Sequence, residues 1–90
     1  MNIEKCLGDV IRSERKKRHW SQLALAQTCS IGTNYLGVVE RGEITIGIKN
    51  LVQIAMGLEI RPSGLLRLAE ERALRGYAGE SVWRNQNETI

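Results

Sequence analysis

Hydrophobic positions in this chain recur every three or four residues through five separate stretches, with polar residues between them. Ile3, Leu7, Val10 and Ile11 form the first stripe, opposite Glu4, Lys5, Asp9, Arg12 and Ser13, and predict a helix over 3–18. The run Arg15-Lys16-Lys17-Arg18 suits its C-terminal end, where the helix dipole is negative. Ser21 is placed to cap a second helix, over about 21–28, that turns Leu25, Ala26 and Cys29 inward. A turn at Cys29-Ser30-Ile31 leads to a third, over about 33–41, with Tyr35, Leu36 and Val39 as its stripe and Gly42 as its stop. After a loop at Glu43-Ile44-Thr45-Ile46, a fourth helix over about 48–57 is expected to bury Ile48, Leu51, Ile54 and Ala55. Pro62 fits the first position of a fifth, which carries Leu65, Leu66, Leu68 and Ala69 to about Arg75.

No period-two stretch is long enough to build a sheet, so the expected fold is all-α, five helices with short connections. The pattern breaks at Gly76-Tyr77-Ala78-Gly79. A folded domain over 1–76 and a loosely held tail over 77–90 follow, with Trp83 available to dock. Ninety residues suffice for one modest core and not for a second.

At 42% hydrophobic and 26% charged residues, composition says only that the chain is globular. The placement of charge says more. Of a net +3, residues 1–41 hold seven Lys/Arg against four Asp/Glu, residues 42–75 five against four, and the tail one against two. The basic excess therefore lies with the first three helices and favours a polyanionic partner. Cys6 and Cys29 lack metal-ligand spacing and His19 is the only histidine, which argues against zinc; apolar neighbours make both cysteines buried free thiols. There is no basic-then-apolar leader and no run of 18 apolar residues, so a cytoplasmic protein without a membrane span is expected. One histidine, scattered acids and no Gly-rich phosphate loop predict neither an enzyme nor a cofactor.

The segment Trp20-Ser21-Gln22-Leu23-Ala24-Leu25-Ala26, closed by Glu40-Arg41-Gly42, carries the chemistry. Two short helices meet at a sharp turn, and the second begins with polar side chains at its tip. This is a helix-turn-helix layout, in which one helix braces and the next enters the major groove of double-stranded DNA. Base contacts are expected from Thr33, Asn34 and, one turn later, Val38. Asn pairs with adenine through two hydrogen bonds, and a Thr or Val methyl packs on the thymine methyl. Gln22, at the positive end of the second helix, is placed to bond a phosphate. Arg41, Lys49 and Lys17 are the further backbone contacts expected. Each residue also has a plain structural reading. Thr33 and Asn34 are common helix starters, a basic run is usually a solvated face, and Leu23 is a surface apolar group or a partner contact. Arg15 and Glu40 are matched to pair across the first and third helices, fixing the recognition helix on its support.

Leu7-Gly8, Ile11-Arg12, Arg15, Ser21-Gln22, Leu25-Ala26, Tyr35-Leu36, Val39-Glu40-Arg41-Gly42, Leu51, Ile54-Ala55, Leu58 and Leu65-Leu66 together resemble the Cro/cI-like (Xre) family of helix-turn-helix regulators, over about 7–66. The resemblance implies a λ-repressor-like five-helix domain that acts as a homodimer on a palindromic operator. It implies DNA contact at Gln22, Thr33, Asn34, Val38 and Arg41, and pairing of Arg15 with Glu40. Ile44 to Leu51 and Gly57-Leu58-Glu59 are similar to the controller proteins of restriction-modification systems. Three departures stand out. Ser30 replaces the usual glycine of the turn, where a left-handed residue costs about 1 kcal/mol, and the turn is expected to survive. Gly32 and Gly47 take N-cap slots where the family has Ser or Thr, and the loop from Glu43 to Ile46 is not basic. Helix 5 offers more apolar surface than one side of a bundle needs, so Leu65, Leu68 and Ala69, with helix 4, are the expected dimer interface. The alternative function is an antitoxin that represses its own operon and binds a toxin through Tyr77, Val82 and Trp83; RNA polymerase is the other candidate protein partner.

Overall fold

The computed structural model describes residues 2–76, all in helices and their connections. Five helices follow in order: α1 (Ile3–Lys17), α2 (Gln22–Cys29), α3 (Thr33–Glu40), α4 (Ile48–Leu58) and α5 (Pro62–Gly76). The expected all-α fold and its five elements are present, with ends one residue or so from those read off the sequence. The tail expected at 77–90, with Tyr77, Val82 and Trp83, lies outside the described residues.

Local chemistry accounts for the boundaries. Asn2 accepts from the Lys5 amide at 2.9 Å to open α1, and Ser21 accepts from the Ala24 amide at 3.0 Å to open α2. Gly32 and Gly47 stand at the N-caps of α3 and α4 and supply no side-chain bond. Gly42 follows α3 at φ +70, and a Cβ there would come within 2.6 Å of the Lys5 backbone. Only glycine fits that site in both conformation and space. Ser30 is left-handed at φ 58, as are His19 and Glu59 after α1 and α4. The turn between α2 and α3 thus keeps its geometry with serine in place, closed by the Ile31 amide donating to the Ala26 carbonyl at 3.0 Å.

One core joins all five helices: Leu7, Val10 and Ile11 from α1, Leu25, Ala26 and Cys29 from α2, Leu36 and Val39 from α3, Leu51, Ile54, Ala55 and Leu58 from α4, Leu65 and Ala69 from α5. α5 packs chiefly on α1, and α2 sits between α3 and α4. Ile44 and Ile46 tuck the connecting loop against this core. Arg18 ties the bundle from outside, donating to the Glu14 carbonyl and to the Leu58 carbonyl at the end of α4, both at 2.6 Å.

Three expectations need correction. Ile48 is 80% exposed rather than buried, because the first residue of α4 reaches past the helices that cover Leu51 and Ile54. Leu65 and Ala69 are fully buried in the monomer, so neither offers a free dimer face, while Leu68 is half-buried against the core. Leu66, 44% exposed, is the outward leucine of α5. Of the two cysteines only Cys29 is buried, and burial pushes its thiol pKa up; Cys6 is half-buried.

Candidate nucleic-acid interface

At 3.6 residues per turn, Thr33, Gly37, Arg41, Asn34 and Val38 fall within less than half of the α3 circumference. Tyr35, Leu36, Val39 and Glu40 occupy the remainder, facing the bundle. Solvent exposure follows that division except at Gly37, which is buried: Asn34 and Arg41 are exposed, Thr33, Tyr35 and Val38 half-buried, while Leu36, Val39 and Glu40 are buried. Thr33 and Asn34 therefore stand at the open first turn, beside unpaired backbone N–H groups and the positive end of the helix dipole.

What holds α3 in this attitude is mostly polar. Glu40, 4% exposed, accepts from Arg15 Nε at 2.7 Å and from Arg15 Nη2 at 2.9 Å, a two-pronged pair between α1 and α3. The hydrogen bond to Glu40 raises the Arg15 pKa further, so the guanidinium keeps its charge. Arg15 Nη1 donates to the Trp20 carbonyl at 2.9 Å, which fixes the entry to α2. Gln22 then donates from Nε2 to Glu40 Oε1 at 3.0 Å. One carboxylate thus collects three donor groups from two helices.

Gln22 is expected to meet a phosphate; in the free protein one of its amide hydrogens is committed to Glu40 and the second is left for a ligand. Arg41 donates to Glu43 at 3.1 Å and Lys17 to Glu14 at 2.9 Å, in pairs whose cation is well exposed. Such surface pairs are worth about 0–1 kcal/mol, so they leave both cations available to a phosphate. Burial would raise the Glu14 pKa, but hydrogen bonds from Lys17 and Arg18 outweigh it and hold the carboxyl below its ordinary range. Lys49 is exposed at the start of α4. The neighbouring Asn50 donates to the Tyr35 hydroxyl at 3.0 Å, which ties that helix start to α3.

The structure thus brings Gln22, Thr33, Asn34, Val38 and Arg41 to α3 and its brace, and puts Arg15 and Glu40 in contact. Lys17 sits at the far end of α1. Glu43, the Tyr35–Asn50 bond and the burial of Gly37 were not read from the sequence. Glu43 had a signal in its spacing of two residues from Arg41, whereas the other two depend on packing. A cleft of about 600 Å³ between the C-terminal ends of α2 and α4 involves none of these groups.

The helix-turn-helix family HTH_3 matches residues 11–65. The restriction-modification controller protein C.AhdI from Aeromonas hydrophila is 31% identical, over 69% of this chain and 94% of its own, with a TM-score of 0.67. An HTH_3 family transcriptional regulator from Vibrio cholerae is 30% identical, over 74% of this chain and 39% of its own, with a TM-score of 0.68. The clp gene regulator ClgR from Corynebacterium glutamicum is alike in fold, at 22% identity and a TM-score of 0.80 over 97% of this chain and 93% of its own. No match was found among curated proteins.

Proposed function

Since the chain belongs to the HTH_3 helix-turn-helix family, we propose that it is a sequence-specific regulator of transcription that binds double-stranded DNA as a homodimer on a palindromic operator. α3 enters the major groove, Thr33, Asn34 and Val38 meet base edges, and Gln22, Arg41, Lys49 and Lys17 meet the sugar-phosphate backbone. The observation that carries this is the open first turn of α3, with Asn34 exposed while Glu40 at the other end is locked to Arg15. A reading helix needs that combination: a free tip for bases and a rigid root for register. The task is binding rather than catalysis, carried out in the cytoplasm. The 31% identity to C.AhdI favours a controller of restriction-modification genes over an antitoxin.

The dimer surface is better drawn around the apolar groups that the monomer leaves outside. Ile48 and Leu66 flank a groove of about 230 Å³ whose walls include Ile3, Leu7, Ile44 and Leu51. Val52 and Met56, 37% and 70% exposed, continue from Ile48 along α4 at four-residue spacing. Apolar surface of this kind suits an isologous contact with a second copy. Two such copies set their α3 helices about 34 Å apart, or a multiple of that. Ile48→Glu is expected to yield monomers in sedimentation with an unchanged helical spectrum; a variant that stays dimeric rejects this surface.

Selection of bound duplexes from a random pool tests the function as a whole. It should return inverted half-sites with centres one or more helical turns apart. Asn34→Ala should then flatten preference at one position of each half-site by about 1–3 kcal/mol while binding to other positions keeps its ranking. An unchanged preference removes Asn34 from the readers, and a pool that returns no enriched duplex removes the function.

A further inference from the structure

Gly37 is buried although it lies on the outward arc of α3, where its neighbours Asn34 and Arg41 are exposed. Glycine is the poorest helix former after proline, so its place in the middle of an eight-residue helix works against that helix. The atoms that cover it belong to two groups from different elements. A Cβ at this position would stand 3.2 Å from Arg41 Nη1, 3.7 Å from Gln22 Oε1 and 4.0 Å from Gln22 Nε2. A guanidinium from the end of α3 and a carboxamide from α2 therefore lie over one spot on the recognition helix, and the spot exists because residue 37 has no side chain.

We infer that Gly37 is a positioning residue: it forms the seat in which the Arg41 guanidinium and the Gln22 carboxamide converge as one composite clamp for a single DNA-backbone phosphate. This rests on the DNA-binding function proposed above. Each arm is steadied from its far side. Gln22 gives one amide hydrogen to Glu40, whose charge Arg15 already balances, and keeps the other. Arg41 gives Nε to Glu43 and keeps its Nη groups for an incoming oxygen. A phosphate offers two unbridged oxygens, which matches one guanidinium edge and one amide. A methyl at residue 37 is tight against Nη1, the free end of a flexible side chain, so it shifts the guanidinium without straining the backbone. The fold is spared and the clamp is opened.

The test compares the full-length protein with Gly37→Ala, Arg41→Ala and the double variant on a mixed-sequence duplex over a range of salt. Gly37→Ala should melt no lower than the parent, because alanine is the better helix former. Its affinity should fall about fivefold to tenfold, with the slope of log affinity against log salt shallower by about one contact for each protomer. In the Arg41→Ala background the same substitution should change nothing further, since its effect runs through that guanidinium. Equal affinity and slope for Gly37→Ala and parent overturn the inference, as does an equal loss in both backgrounds, which would mean a direct clash with DNA. A parent protein that binds no duplex at low salt fails at the earlier step and takes the clamp with it.

Discussion

Arg15→Ala is expected to cost the domain about 3–5 kcal/mol, the usual penalty for removing one partner of a buried ion pair. The loss is large because Glu40 cannot escape. It is 4% exposed, two of its three hydrogen bonds come from Arg15, and the third comes from the neutral amide of Gln22. The Trp20 carbonyl loses its donor in the same stroke. Small domains hold about 5–15 kcal/mol in total, so the variant should lie near the edge of folding. Lysine should not rescue it, since a point charge cannot serve both carboxylate oxygens and the carbonyl as a planar fork does. Replacing both partners, Arg15→Met with Glu40→Leu, should recover most of the loss because no charge is then stranded. Urea unfolding midpoints decide the matter. A cost below about 1 kcal/mol for Arg15→Ala is what a solvated surface pair gives, and would end the claim that this pair braces α3.

Gly8→Ala is the second large effect, with a sign opposite to that expected of a glycine inside a helix. Helix propensity alone would stabilise the variant by about 0.5–1 kcal/mol. Here a Cβ would collide with the Val39 carbonyl oxygen and lie 2.6 Å from the Glu40 carbonyl oxygen. Both are backbone atoms at the end of α3, and neither can swing aside. α1 and α3 must separate, at a cost of about 3 kcal/mol, the upper part of the range for overpacked cores. Thermal unfolding of Gly8→Ala beside Gly37→Ala gives a paired check, since one methyl meets backbone and the other a mobile guanidinium. A Gly8→Ala domain as stable as its parent would show that the two helices do not approach so closely.

Residues that act through their own chemistry are the ones read correctly from the chain. Ser21, Gly42 and Pro62 mark helix ends because a hydroxyl cap, a left-handed backbone and a fixed φ need no neighbour to take effect. The partnership of Arg15 with Glu40 was legible for a related reason: each is a charge within an apolar stripe, and such charges need each other. Faces were read less well. Ile48 continues the stripe of Leu51, Ile54 and Ala55, yet periodicity gives the direction of a side chain and not how far the neighbouring helices extend to cover it. On α5, leucines at 65, 66 and 68 point several ways, and only the position of α1 selects Leu65 for the core and leaves Leu66 outside.

The order of five helices, their caps and the polar tip of α3 were determined by the sequence alone, because periodicity, capping and charge act within a few residues of one another. Which carboxylate Gln22 would grip, which glycine would let two helices touch and which would seat a guanidinium were decided only on assembly. Those outcomes depend on distances between segments far apart in the chain. Arg15 and Glu40 are 25 residues apart, and 2.7 Å between their atoms exists only after α1 and α3 have docked.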